Sequence, residues 1–147
     1  MTDRQPQDSV PARLDALAEE ICAHLAGCFP VCMASDEFHF FPHYKAARQD
    51  WPRWDDFSDA GVQASLGALS RWQGRIAQRT PPKPSPVEAA DLDLLTRVLN
   101  TLDEQLRHVQ PHKTQPTFHL TIISIGLGEA LEESRAALRQ RAGTLPR

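Results

Sequence analysis

The run FHLTIISIGLGEALEE, residues 118–133, decides the fold, because its first half admits two readings. Thr121, Ile122, Ile123 and Ile125 are β-branched and suit a pleated strand. Leu120, Ile123, Leu127, Leu131, Ser134 and Leu138 instead keep helical spacing for more than twenty residues. No other segment of the chain reads as a strand that could pair with it. The helix reading wins, over residues 118–141, with Thr117 available as its cap. Gly126 and Gly128 leave small surfaces on that helix, where another helix can approach closely.

Working backwards, PHKTQP at 111–116 turns the chain, and the segment before it has the clearest helical signature. Ser85, Pro86 and Glu88 make a capping-box start with proline at the first helical position. Leu92, Leu95, Leu99, Leu102, Leu106 and Val109 follow at alternating steps of three and four, the seam of a helix bundle, and Pro111 ends it. The stiff connector TPPKPSP, residues 80–86, separates this helix from an earlier one at 59–79, opened by Ser58 and striped by Val62, Leu66, Leu69, Trp72 and Ile76. A first helix is expected at 10–25, with Ser9 as cap, Pro11 in its first turn, and Leu14, Leu17, Ala18, Ile21 and Leu25 on one face. Gly27 is the expected stop. Residues 1–8 read as a frayed tail.

Residues 28–57 differ. Pro30, Pro42 and Pro52 interrupt them, and Phe38, Phe40, Phe41, Tyr44, Trp51, Trp54 and Phe57 crowd into them. They read as an ordered loop whose rings pack onto the helices, with room for a short helix near 43–49. The expected fold is therefore all-α: about four helices in an antiparallel, bundle-like arrangement beside an aromatic-rich loop. Residues 9–147 would form one helical domain, or the N-terminal part of a larger one.

Composition agrees with an ordinary folded chain. Its 147 residues are 41% hydrophobic and 24% charged, with 12 prolines, most of them between or at the starts of helices. A net charge of −3 argues against a dedicated nucleic-acid binder. No run of about 18 apolar residues spans a membrane, and the N-terminus lacks the apolar core of a signal peptide. Three cysteines, an odd number in a chain without a signal, are expected as reduced thiols in the cytoplasm.

Several side-chain groups could carry chemistry. Cys28, Cys32, His39 and His43 resemble a zinc set, but their middle gap is short and Pro42 interrupts the histidine-bearing segment. Two buried thiols and two loop histidines are the simpler expectation. Glu20/His24 and Glu104/His108 lie four apart, where di-iron bundles use a spacing of three. Arg71, Arg75 and Arg79 share a helix face, with Lys83 beyond, and fit a site for a phosphate or an acidic partner, or ordinary solvated cations. Asp55, Asp56 and Asp59 stand before a helix start and read as caps, or as acid/base groups in a cleft with His39, His43 and Tyr44. IGLGEAL lacks the third glycine of a dinucleotide fingerprint, and no βαβ unit surrounds it. No cofactor is expected.

Two stretches, DWPRWDDFS at 50–58 and QPTFHLTIISIGLGEALEE at 115–133, resemble the N-terminal helical region of the bacterial domain-of-unknown-function 885 family, over about residues 35–147. Members of that family are longer, mostly helical and similar to zinc-dependent peptidases. Their metal motif, H-E-x-x-H, lies beyond the matching region, and no residue of this chain matches it. The resemblance therefore implies a scaffold segment without catalytic or metal-binding residues. It also implies a truncated or shortened family member, since the relatives continue where this chain stops at Arg147. The leading expectation is a non-catalytic helical module that packs against a protein partner or a missing C-terminal portion. A small Cys/His metal-binding protein and a hydrolase using the 36–59 region are the alternatives.

Overall fold

The computed structural model describes the backbone of residues 10–43, 54–79 and 83–143. Its helices are α1 (Val10–Cys28), α2 (Pro30–Ala34), α3 (Asp59–Arg79), α4 (Pro86–Glu104), α5 (Pro111–Thr114) and α6 (Pro116–Gly143), and a π-helical turn, Gln105–Val109, prolongs α4. There is no strand among the described residues, so the all-α expectation holds. The frayed tail at 1–8 and the short helix near 43–49 lie outside the described residues.

Three long helices form the centre. Leu14, Leu17, Ile21 and Leu25 of α1, Val62, Leu66, Leu69, Trp72 and Ile76 of α3, and Leu92, Leu99, Leu102 and Leu106 along α4 and its π-helical turn are buried together. Removing side chains of this size from water stabilises by about 1.5–3 kcal/mol each, before the cost of ordering them. The pairing is antiparallel from α1 to α3 to α4. Asp56, just before α3, donates its N–H to the Cys28 carbonyl at the end of α1, while Glu20 reaches Trp72 further along. Likewise Asp59 meets Lys113 at one end of α3, and Gln73 meets Asn100 towards the other.

The helix starts follow from local chemistry. Ser58 Oγ accepts the Gly61 N–H, and its carbonyl takes the Val62 N–H, which opens α3. At α4 the Ser85 hydroxyl accepts the Glu88 N–H and the Glu88 carboxylate accepts the Ser85 N–H, the reciprocal box. The α4 seam ends differently from a simple proline stop. The Gln110 N–H bonds back five residues to Gln105, and Gln110 adopts a left-handed conformation (φ 50°) before Pro111 starts α5. This wide turn leaves Val109, the last member of the expected seam, exposed.

Gly27 does not stop α1. The helix runs on to Cys28, and the Phe29 N–H still bonds to the Leu25 carbonyl. Gly27 faces open space, whereas Phe29 is fully buried, so burial of the next ring carries the chain past the glycine. Pro30 then breaks the helix and occupies the first position of α2. This short helix, inside the segment expected to be loop, is capped from a distance: the Asp55 carboxylate accepts the Val31 N–H at 2.8 Å and the Cys32 N–H at 3.2 Å.

The described part of the aromatic segment packs as expected. Phe29 contacts Phe41 and Phe57, and Phe118 of α6 receives Phe38, Phe40 and Phe57. Tyr44 and Trp51 lie outside the described residues. This ring layer joins α6 to the rest. Its backbone runs beside α2 and α5 and stays apart from α1, α3 and α4, so α6 flanks the three-helix centre instead of entering its seam.

Candidate functional site

The four Cys and His residues with zinc-like spacing are not brought together as one set. Cys32 is fully buried in α2. Cys28 Sγ lies 3.6 Å from His24 Nε2, one helical turn back. His43 is exposed, its two ring nitrogens 3.1 Å from Asp36 Oδ1 and 3.2 Å from the Ala34 carbonyl oxygen. His39 is exposed. Among the described residues, no three His, Cys, Asp or Glu side chains are placed to hold a metal ion.

The aspartates before α3 also part company. Asp55 turns inward to α2, and burial raises the carboxyl pKa while its hydrogen bonds to Cys32 and Val31 pull it down. Burial likewise pushes the Cys32 thiol far up, with Asp55 beside it adding to the effect, so that sulfur stays protonated. Asp56 accepts the Ser58 N–H at the surface. Asp59 pairs with Lys113 at 2.6 Å. Capping is thus divided: Asp55, expected before α3, caps α2. Tyr44, the remaining member of the expected cleft, lies outside the described residues.

A cluster between α1 and α3 is one that pair spacing only half indicates. Glu20, His24 and Cys28 form one i, i+4, i+8 row. Trp72 donates its Nε1–H to Glu20 Oε1 at 3.0 Å, Arg75 pairs with the same carboxylate oxygen, and the Trp72 ring meets His24 edge-on. Burial and then Arg71 lower the His24 pKa, against the pull of Glu20. These contacts tie two helices together across a half-exposed edge. Arg75 is therefore engaged structurally, while Arg71 and Lys83 are exposed and the Arg79 side chain lies outside the description. Glu104 and His108 stay on the exposed side of α4.

Among the described residues, His112 is the least satisfied polar group. It is buried, stacks on Phe57, and neither ring nitrogen has a hydrogen-bond partner. Burial, Lys113 and His119 lower its pKa, with Asp59 acting the other way. A shallow cleft nearby, lined by Glu37, Phe38, Gln105, Gln115 and Thr121 among others, does not include the ring.

The most extensive candidate surface is on α6. Phe118 and Ile122 are buried and Ile125 packs against the core, all on one side of the helix. The residues on the opposite side are open: Leu120 is 63% exposed, Ile123 47%, Leu127 51% and Leu131 59%. These four belong to the six-residue stripe that the sequence pattern picks out. The helix therefore carries two apolar faces, one covered and one bare. Trp54, 46% exposed, borders the bare face with its ring over Gly126. Gly128 has open space about it. The small surface at Gly126 is thus met by an aromatic ring and not by a helix.

No family model matches the chain, and no curated protein or solved structure matches it. Among the described residues, no helix is long and apolar enough to cross a membrane.

Proposed function

We propose that the protein is a non-catalytic helical interaction module whose working surface is the outward face of α6. The bare row Leu120, Ile123, Leu127 and Leu131 carries this reading. Scattered exposed apolar residues are ordinary, but a continuous row along one helix marks a contact site. From His119 to Glu129 the helix has no charged residue between them, unusual for a face meant to stay in water. The ring layer, with α2 and α5, holds α6 from behind and leaves this face free for a partner helix. The resemblance to the front end of a peptidase-like family, without its metal motif, supports the same scaffold role. So does the dispersal of the described candidate acids and histidines into separate structural contacts.

The test is the binding of an apolar fluorescent dye to the full chain and to its Leu127→Glu, Leu131→Glu variant. The expected result is a marked loss of dye fluorescence with an unchanged unfolding midpoint. Unchanged dye binding, or a large drop in the midpoint, would overturn the reading, because the face would then be absent or part of the core.

A further inference from the structure

We infer that the α6 face docks on a second copy of this chain, antiparallel, about a two-fold axis at Leu127. This rests on the reading of α6 as a docking face and names its occupant.

The row itself carries the symmetry. Leu120, Ile123, Leu127, Leu131 and Ser134 are separated by three, four, four and three residues, so the pattern reads the same in both directions from Leu127. Small residues are mirrored about the same point: Gly126 with Gly128, and Ser124 with Ala130. A two-fold contact must be self-complementary, with residue i meeting j and j meeting i. Antiparallel α6 helices crossing at Leu127 satisfy this. Leu127 meets its copy, Ile123 faces Leu131, and Leu120 faces Ser134, while the small Ser124 and Ala130 beside the row let the backbones approach and the Trp54 ring over Gly126 borders the contact.

Charge selects the direction. The charged residues of this stretch, Glu129, Glu132, Glu133 and Arg135, all follow Leu127, and residues 120–128 carry none. An antiparallel pair lays each charged half along the partner's uncharged half. A parallel pair would lay the two charged halves side by side, at a cost.

Area fits a modest dimer. The four exposed side chains and Trp54 leave roughly 500 Å² of apolar surface open on each copy, within the range of the largest patches on single chains. Two copies would cover roughly 1,000 Å² of it, which with a polar rim reaches the lower end of stable interfaces, about 1,200 Å². The association is therefore concentration-dependent.

Sedimentation velocity on the full chain from micromolar to near-millimolar concentration tests this. The expected result is a shift from monomer to dimer. Leu127→Glu and Leu127→Lys should each remain monomeric with unchanged unfolding midpoints, and their equimolar mixture should dimerise again, because residue 127 meets itself across the axis. A wild-type chain that stays monomeric throughout would overturn the dimer while leaving the dye experiment untouched. A dimer that survives both substitutions, or a mixture that fails to associate, would overturn the axis at Leu127.

Discussion

The ring of Trp54 covers Gly126 so closely that a Cβ built on the glycine would lie 2.6 Å from Trp54 Cζ3. The contact connects the segment before α3 to α6 and sets one border of the bare apolar face. A side chain at 126 must displace something, and the half-exposed indole gives way more readily than a packed helix. Gly126→Ala is expected to cost about 1 kcal/mol, small for an overpacked site. It should also shift the Trp54 emission, resolved by comparison with the same substitution in a Trp54→Phe background. An unchanged emission would mean that the ring does not sit over Gly126.

Asp55 joins α2 to the chain entering α3 through two backbone N–H groups. Asp55→Ala leaves those donors without their acceptor and should destabilise by about 1–3 kcal/mol in chemical denaturation. The pH dependence has a definite sign. Burial raises the folded carboxyl above its unfolded value, so between the two the folded protein binds more protons than the unfolded chain. Stability from this group is full below the unfolded pKa of about 4 and is lost as pH rises through the folded one. The wild type should therefore lose stability relative to Asp55→Asn as pH rises from about 4. A gap that is constant with pH would contradict the assignment.

His112 acts in the opposite direction. Its ring is buried without a hydrogen-bond partner, and burial holds its pKa below the ordinary histidine value. The unfolded chain takes up a proton at about pH 6.5 while the folded protein does not, so stability present above that pH is lost as pH falls towards the folded value. His112→Phe keeps a ring against Phe57 and removes the titration. The variant should lose less stability than the wild type between about pH 7 and 5, measured by urea midpoints. An equal loss would place the acid sensitivity elsewhere.

The three central helices were legible in the sequence because each has one wet face, and a single apolar stripe then names the buried side. Val62, Leu66, Leu69, Trp72 and Ile76 are all buried as the spacing implies. The capping box at Ser85 was legible for the same local reason. Gly27 misled because a C-terminal glycine signal is local, whereas the burial of Phe29 that overrides it is tertiary. The cap of α2 could not be read locally, since Asp55 comes from more than twenty residues away. In α6, apolar spacing identified a helix but not its inner face. Leu120, Ile123, Leu127 and Leu131 form the longer stripe, yet Phe118 and Ile122 are buried, because the aromatic layer needs the Phe118 ring. The same two-faced pattern left the candidate surface hidden within what reads as an ordinary amphipathic helix.

Neighbouring residues Ile122 and Ile123 provide the most direct test of that assignment, because one is buried and the other is bare. Unfolding free energies should be measured at micromolar concentration for Ile122→Asp and Ile123→Asp. Ile122→Asp should lose more than about 3 kcal/mol, because an unpaired carboxylate enters the core, and Ile123→Asp should change by no more than about 0.5 kcal/mol. A loss at Ile123 equal to or larger than that at Ile122 would instead make the face proposed for docking part of the folded core.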